Sequence, residues 1–233
     1  MRRLHIDIAA FTDSMLSMLA AVSFKKVTAA NYFQELSFEV EAGSSLVLVT
    51  SGEDESSAIM KLVAGLSPPA KGTVLVDGQS PTELQEAQLY QLRQQMGIVT
   101  PGGGMISNLK LWENITLPLF YKTGHITEDI EEAGGNCLRK LGYSGNLMAM
   151  PAHLTQIEKR LAAFVRAMLS QPQIMFYCNC FEDMPQATRK CFAAATAEFH
   201  AESADRASIY CTSSAETARD LPAGSILSIH QPS

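Results

Sequence analysis

Residues 46–66 read LVLVTSGEDESSAIMKLVAGL and carry the strongest fold signal in the chain. The segment 46–50 is an apolar run typical of a strand that is buried on both faces. Apolar residues at helical spacing follow at Ile59, Met60, Leu62 and Val63. A buried strand, a short turn and a helix form the frame of a phosphate-binding loop, in which G-x-x-x-x-G-K-[ST] turns backbone amides and a lysine toward the anion.

The turn in this stretch is acidic, which is the opposite of what a phosphate requires. The positions of the phosphate-loop frame are Thr50, Ser51, Gly52, Glu53, Asp54, Glu55, Ser56, Ser57 and Ala58. The last four stand where Gly-Lys-Ser-Thr is expected, so the lysine position holds Ser56, while Ser57 keeps a hydroxyl that could ligate magnesium. We therefore predict that the loop frame is retained and that its phosphate-binding chemistry is lost.

Two interpretations of the three acidic side chains stay open at this point. A helix N-terminus presents free amides and a partial positive charge, so Glu53, Asp54 or Glu55 could occupy those amides in place of a ligand. The alternative is ordinary N-capping of the helix by aspartate and serine.

Composition and charge narrow the class of protein. The chain has 233 residues, 46% hydrophobic residues and a net charge of −6, which suits a globular core and does not favour nucleic acid as a partner. No apolar run reaches the ~18 residues of a spanning helix. Residues 1–22 resemble a signal peptide, but Asp7 and Asp13 interrupt the apolar run, so we predict a short amphipathic extension over residues 1–17.

Strand and helix patterns alternate along the chain. Strands are predicted over 18–27, 33–40, 46–50, 74–76, 97–99, 174–177, 207–211 and 225–229, and helices over 57–66, 84–95, 109–121, 128–141, 153–169, 186–201 and 215–220. This alternation predicts an α/β fold with a mostly parallel sheet covered by helices on both faces, preceded by an antiparallel β part. Residues 105–170 contain helices only, so we expect an inserted helical lobe in one domain that spans 18–233.

Four segments in order carry a family resemblance. The segments ELSFEVEAG, KLVAGLSPPAKGTVLVDGQ, LWENITLPL and LTQIEKRLAAFVRAMLSQPQIMF resemble, in order and spacing, the nucleotide-binding subunit of ABC transporters. The resemblance covers about residues 18–230 and implies a P-loop NTPase (RecA-like) fold. The spacing around LGYSGNLMAMPAHLT and MFYCNCF is most similar to the ATPases of bacterial MCE-type phospholipid-trafficking systems.

The resemblance also places the family's functional motifs, and each of them departs from the family pattern. The Q-loop glutamine falls at Pro101, the magnesium aspartate and the catalytic glutamate at Cys178 and Asn179, and the switch histidine at Ser213 or Ser214. The LSGGQ signature is Leu154, Thr155, Gln156, Ile157 and Glu158. An adenine-stacking aromatic side chain corresponds to Tyr32. The family would use ATP and magnesium, but these departures predict that neither is a cofactor here and that no residue is catalytic.

Two further groups of residues have simple interpretations. Cys178, Cys180 and Cys211 are expected to replace the lost active site as small buried hydrophobic side chains, in preference to a zinc or copper site. The cysteine spacing shows no disulfide framework, which favours a reduced cytosolic setting. The glycine run 102–104 is expected to be a flexible loop in place of the Q-loop.

Three functional hypotheses follow. The first is a non-catalytic subunit of an ABC transporter, peripheral on the inner face of the cytoplasmic membrane. As the resemblance implies, it would bind a membrane permease and a competent ATPase subunit, with a dimer as a further option. The second is a soluble binding or regulatory module that reuses the fold. The third is an ATP-binding ATPase subunit that drives transport, with Glu158, Glu182 or Asp183 as a substitute base.

Overall fold

A computed structural model of the chain describes residues 20–29 and 31–229. In order, its elements are β1 (Ala20–Ala29), β2 (Phe33–Glu41), β3 (Ser45–Val49), α1 (Glu53–Val63), β4 (Lys71–Val76), α2 (Glu86–Gln94), β5 (Met96–Val99), α3 (Leu111–Thr123), α4 (Glu128–Lys140), a 3₁₀ turn (Pro151–His153), α5 (Gln156–Leu169), β6 (Ile174–Cys178), α6 (Gln186–Ala201), β7 (Ala207–Thr212), α7 (Ala215–Asp220) and β8 (Ser225–Ser228).

The strands form two sheets. The larger sheet has the strand order β5-β6-β7-β3-β8, and all of its neighbouring strands are parallel. The smaller sheet has the order β2-β1-β4, and its strands are antiparallel. The predicted fold class, a parallel sheet with flanking helices after an antiparallel N-terminal part, is therefore confirmed.

The core lies on both faces of the larger sheet because β6 and β7 are buried along their whole length. Successive side chains of a strand point to opposite faces. Tyr177 on β6 packs on one face with Phe164 of α5, whereas Phe176 packs on the other face with Ile59 of α1. The rings of Tyr177 and Tyr210 stack with their centroids 4.6 Å apart.

The segment between β5 and β6 contains α3, α4, α5 and the 3₁₀ turn, with no strand among the described residues of that segment. This agrees with a helical insertion, while its limits at 105–170 stay a prediction. The predicted extension 1–17 lies outside the described residues. Within residues 20–29 and 31–229, no helix combines the length and apolar character needed to cross a membrane.

Four helix starts differ from the predictions, and two of these differences are small, since α2 and α3 each begin two residues later than predicted. Helix α1 begins at Glu53 rather than at residue 57, because acidic residues are favourable in the first turn of a helix. The predicted helix 153–169 is instead a 3₁₀ turn followed by α5 from Gln156. Thr155 separates the two, since it caps α5 and has extended backbone angles.

Candidate functional site

The carboxyl ends of three neighbouring parallel strands bring the predicted loop positions together. The backbone N–H of Thr50, just after β3, donates to the Thr212 carbonyl at 2.9 Å, and the N–H of Asn179, just after β6, donates to the Cys211 carbonyl at 2.9 Å. Ligands of open α/β sheets bind at this edge. We call residues 50–57 the acidic loop, and it lies beside the ends of β6 and β7.

Glu55 lies inside the acidic loop. Its side chain is 2% exposed, and its Oε2 accepts a hydrogen bond of 2.5 Å from the N–H of Ser51. Glu53 and Asp54 are exposed, and Gly52 is the N-cap of α1 with no side-chain capping bond. In the structure, the Glu55 carboxylate therefore binds a backbone amide of the loop, and no side chain caps α1. This arrangement matches the first of the two interpretations.

Two hydroxyl groups close the acidic loop further. Thr50 Oγ1 and Ser56 Oγ are buried and lie 2.8 Å apart in a hydrogen bond. One of the two hydroxyls donates across this pair and the other donates to the Gly52 carbonyl oxygen, which lies 3.1 Å from Thr50 Oγ1 and 3.2 Å from Ser56 Oγ. The side chain at the position where a lysine would reach for phosphate thus points into the loop's own backbone.

The end of β6 carries Cys178 and Asn179, which the resemblance aligns with the family's two carboxylates. Cys178 pairs in register with Cys211 on β7, and burial raises the pKa of both thiols well above the ordinary value. Neutral thiols are weak nucleophiles and weak ligands. In the described part of the chain, no group of three His, Cys, Asp or Glu side chains could hold a metal. Asn179 is buried in a left-handed conformation (φ 42°).

The five predicted signature positions lie across the start of α5, with Leu154 and Thr155 before its first residue, Gln156. Thr155 Oγ1 accepts from the N–H of Glu158 at 3.2 Å, and a Glu158 carboxylate oxygen accepts from the N–H of Thr155 at 2.7 Å. This reciprocal pair is a capping box. Leu154 is buried, Gln156 is exposed and Ile157 packs against the core. Glu158 is therefore engaged in helix capping, which argues against its use as a base.

Arg160 and Glu182 connect the loops after β5, β6 and β7 through hydrogen bonds. Arg160 is 7% exposed, and its guanidinium donates to the carbonyl of Pro101 at 2.9 Å and to the backbone carbonyl of Glu182. The Glu182 carboxylate in turn accepts from Thr212 Oγ1 at 2.5 Å and from the N–H of Ser213 at 3.1 Å. The Q-loop and switch positions are thus tied to each other through two side chains.

Neither of these two side chains was assigned this role from the sequence. Arg160 precedes Phe164 by one helical turn and therefore lies on the apolar face of α5. An arginine on an apolar helix face is the sequence feature that could have indicated a buried, hydrogen-bonded side chain. Glu182 was considered only as a substitute base, and its carboxylate is bound to the loop after β7. Ser214 caps α7 by accepting from the N–H of Thr217 at 3.1 Å.

The glycine run contacts α5 through hydrogen bonds and close backbone packing, while its predicted flexibility stays a prediction. Arg166 donates to the carbonyls of Gly103 at 2.8 Å and Gly104 at 2.9 Å. Gly103 has a φ of +71°, and a Cβ at this position would lie 2.4 Å from the Lys159 carbonyl oxygen. The loop therefore packs directly on the backbone of α5. Tyr32, the proposed adenine-stacking residue, lies in the turn before β2 and is 39% exposed.

Curated relatives share part of this chain. It is 24% identical over 167 residues to the probable ribonucleotide transport ATP-binding protein mkl of Mycobacterium leprae, covering 70% of this chain and 48% of that protein. It is 29% identical over 161 residues to the methionine import ATP-binding protein MetN of Mannheimia succiniciproducens, covering 69% and 45%. The intermembrane phospholipid transport system ATP-binding protein MlaF of Haemophilus influenzae is 25% identical over 150 residues, covering 64% and 56%. The chain thus spans about half the length of these relatives.

A solved structure shares the fold. The ATP-binding cassette MJ0796, in a dimeric post-hydrolysis state bound to ADP and Pi, superposes with a TM-score of 0.75 at 19% identity, covering 89% of this chain and 94% of that one. The family model described as "ABC transporter" matches residues 33–180, which is more than half of the chain and includes the acidic loop, Pro101, α5 and the end of β6. The chain therefore belongs to the ABC transporter family, with the fold of its ATP-binding cassette.

Proposed function

We propose that this chain is a non-catalytic cassette, a structural or regulatory subunit of an ABC transport complex. It would join a membrane permease and a competent ATPase subunit, with a dimer as a further option, at the inner face of the cytoplasmic membrane. The observation that carries the proposal is the Glu55 carboxylate, which is bound to the Ser51 amide inside the acidic loop.

Electrostatics supports the exclusion of nucleotide from this loop. A triphosphate would meet Glu53, Asp54 and Glu55, with no lysine or arginine in residues 50–57. Each like-charge pair ~4 Å apart costs about 1 kcal/mol in bulk water and roughly 4 kcal/mol near a protein surface. The absence of a general base at residue 179 would slow hydrolysis by a further ~10²–10⁴-fold. The charge repulsion weakens nucleotide binding and the missing base slows hydrolysis, so both effects disfavour ATPase activity.

The names of the relatives favour a different hypothesis, an ATP-binding subunit that drives transport. The three relatives described above are named as ATP-binding proteins, and family membership fits that class. Those names belong to the relatives, whereas the contacts of Glu55 and Ser56 and the burial of Asn179 belong to this chain. We therefore keep the non-catalytic cassette as the proposal and use ATP binding as its direct test.

We infer phospholipid trafficking as the transported class, in line with the MCE-type resemblance. One relative, MlaF, is described as part of an intermembrane phospholipid transport system. Relatives of similar identity are named for ribonucleotide and methionine transport. Lipids that co-purify with the complex, identified by mass spectrometry, would test this inference.

The first test is calorimetric titration with Mg·ATP. We expect no measurable binding to the native chain, because Glu55 occupies the loop. The double substitution Glu55→Gly with Ser56→Lys should restore measurable binding, and Glu55→Gly alone is the matched control without the lysine. Tight Mg·ATP binding to the native chain, together with phosphate release, would overturn the proposal in favour of the ATPase hypothesis.

The second test addresses partners. Affinity purification of the tagged chain in mild detergent, followed by mass spectrometry, should recover a permease and an intact ATPase. Recovery of soluble proteins alone would instead support the soluble binding module. This outcome is independent of the calorimetric one, so the catalytic and the assembly parts of the proposal can fail separately.

A further inference from the structure

A cavity of about 610 Å³ lies between α4 and the loop that follows it. This volume falls within the ~300–1,000 Å³ usual for small-molecule sites. Its helix wall is formed by Gly135, Leu138 and Arg139, and its loop wall by residues 142–145 and Leu147. None of these residues belongs to the motif positions singled out from the sequence.

Tyr143 holds the loop wall in place. Its N–H donates to the Leu138 carbonyl at 2.9 Å, which binds one of the last carbonyls of α4. Its hydroxyl donates to the Asn146 carbonyl at 3.0 Å. A Cβ at Gly145 would lie 2.7 Å from that hydroxyl oxygen, so glycine is needed for the chain to pass this close to the ring. The loop wall is therefore fixed to the end of α4.

The loop wall carries backbone donors that have no acceptor within the protein. The N–H groups of Ser144, Gly145 and Leu147 donate to no backbone acceptor among residues 20–29 and 31–229. The hydroxyl-bearing side chain of Ser144 is exposed beside them. Neighbouring N–H groups of a turn can form a concave site for an anion. The loop wall therefore suits a group with several acceptor oxygens.

Arg139 supplies a positive charge on the helix wall. Its Nη2 donates to Asn136 Oδ1 at 2.6 Å, and its Nη1 lies 3.5 Å from the position that a Cβ on Gly135 would occupy. The remaining N–H groups of the guanidinium can bind two oxygens of one phosphate. In the described part of the chain the recorded ion pair is Arg189–Asp220, so Arg139 has no carboxylate partner there.

Carboxylates of the neighbouring elements do not line the cavity. Burial raises the pKa of Tyr143, and the charge of Glu158 raises it further, but the Glu158 carboxylate is bound in the capping box of α5. Glu131 and Glu132 are exposed in the first half of α4. Arg139 is thus the charged group among the lining residues, and the net charge of the lining is positive.

We propose that this cavity binds a phosphate monoester, with the phosphate group between Arg139 and the N–H groups of Ser144 and Gly145. The guanidinium selects a dianion over a neutral ligand, and the amides bind its oxygens. The cavity leaves room for a small organic body against Gly142 and Leu147. The proposal does not depend on the non-catalytic function, because the cavity shares no residue with the acidic loop.

Calorimetric titration of the full chain compares glycerol phosphate with glycerol at constant ionic strength. We expect glycerol phosphate to bind and glycerol not to bind. Arg139→Gln should weaken the binding of glycerol phosphate about five- to tenfold, since it removes one charge-assisted contact. Arg219→Gln on the exposed face of α7 is the matched control and should bind like the native chain. Absence of binding, or equal affinity in the native chain and Arg139→Gln, would overturn the proposal.

Amide NMR spectroscopy locates the phosphate group. Inorganic phosphate, added to the isotope-labelled chain, should shift the resonances of the Ser144, Gly145 and Leu147 amides. Shifts confined to residues 50–57 would instead place phosphate in the acidic loop. That outcome would overturn the proposed site and would also count against the non-catalytic cassette, whereas a simple lack of response at residues 144–147 would affect the site alone.

Vesicles distinguish a lipid from a soluble carrier of the phosphate group. Phosphatidic acid presents a phosphate monoester at a membrane surface, and phosphatidylcholine does not. Co-sedimentation with phosphatidic acid vesicles that is lost in Arg139→Gln would identify a lipid. No co-sedimentation, with binding of glycerol phosphate retained, would identify a soluble ester. Co-sedimentation that persists in Arg139→Gln would show that the lipid headgroup binds outside this cavity and would overturn a lipid ligand for it.

Discussion

Glu55 binds the acidic loop from within, since its carboxylate accepts a hydrogen bond from the backbone N–H of Ser51. The residues around Glu55 also lack groups that would bind an anion. Ser56 turns its hydroxyl back to Thr50 and Gly52, and the thiols of Cys178 and Cys211 bring no charge to the strand ends. The loop thus binds groups of the chain itself, although Oε1 of Glu55 is buried without a hydrogen-bond partner among the described residues.

At the same scale, the buried thiols predict a pH dependence of stability. Burial raises the pKa of Cys137 from 9.0 to about 11 and that of the Tyr210 hydroxyl to about 12. Above pH 9 the unfolded chain releases thiol protons that the folded chain retains, so the free energy of unfolding falls as pH rises. Urea denaturation should show constant stability near neutral pH and a decline above pH 9.

The control is Cys137→Ala, which should show a shallower decline between pH 9 and about 11. A native chain whose stability is unchanged, or increased, across this window would contradict the assigned burial. Reductant is kept in every sample, so that oxidation of the five free cysteines does not contribute.

Among the elements, α5 carries the arginine that joins the loops. Arg160→Met would leave the carbonyls of Pro101 and Glu182 without their buried donor. Such losses cost roughly 1–3 kcal/mol for each unsatisfied group, so for two groups we expect a decrease of about 2–6 kcal/mol in the free energy of unfolding. Denaturant titration measures it. Lys159→Met is the matched control on the same helix, and an equal loss in both variants would count against the cross-link.

The glycine run offers a prediction with a control one residue away. Gly103→Ala would place a methyl group 2.4 Å from the Lys159 carbonyl oxygen at a φ of +71°, whereas a Cβ at Gly102 meets nothing within 4 Å. We expect Gly103→Ala to lower stability by at least about 1–3 kcal/mol and Gly102→Ala to be nearly neutral. Thermal denaturation distinguishes them, and a tolerated Gly103→Ala would show that the loop leaves α5 readily.

Local patterns predicted most elements because apolar spacing and capping signals are local. The helices predicted at 186–201 and 215–220 have these bounds in the structure. The start of α1 was wrong, since Glu53, Asp54 and Glu55 read as a polar turn although acidic side chains favour a helix N-terminus. The partners of Arg160 were not predictable, because Pro101 is 59 residues away and only the folded sheet brings the two together.

For the whole molecule, the family and the fold could be predicted because several segments match in order. The roles of the degenerate motif positions remain predictions, since neither the fold nor the relatives test them. The amide partner of Glu55 and the cavity beside α4 depend on how side chains pack in three dimensions. The predicted loss of phosphate-binding groups from the acidic loop stays a prediction, and motif positions alone do not indicate which side chain binds the Ser51 amide.

A prediction at this scale concerns the effect of nucleotide on stability. A ligand that binds the folded state alone raises the melting temperature by mass action. We expect saturating Mg·ATP to leave the melting temperature of the native chain unchanged and to raise that of the Glu55→Gly, Ser56→Lys variant. Differential scanning fluorimetry measures both, with magnesium alone as the blank. A rise in the native chain would mean that nucleotide enters despite Glu55.

The position of Glu55 within the chain has a consequence for timing. A free nucleotide leaves its site at a finite rate and follows the concentration in the cell, whereas a tethered carboxylate has a fixed effective concentration. In an assembly with this chain as its non-catalytic subunit, the conformation of one half would not depend on nucleotide exchange or on the ATP concentration. Under starvation, when ATP falls and other cassettes empty, this half would retain its shape.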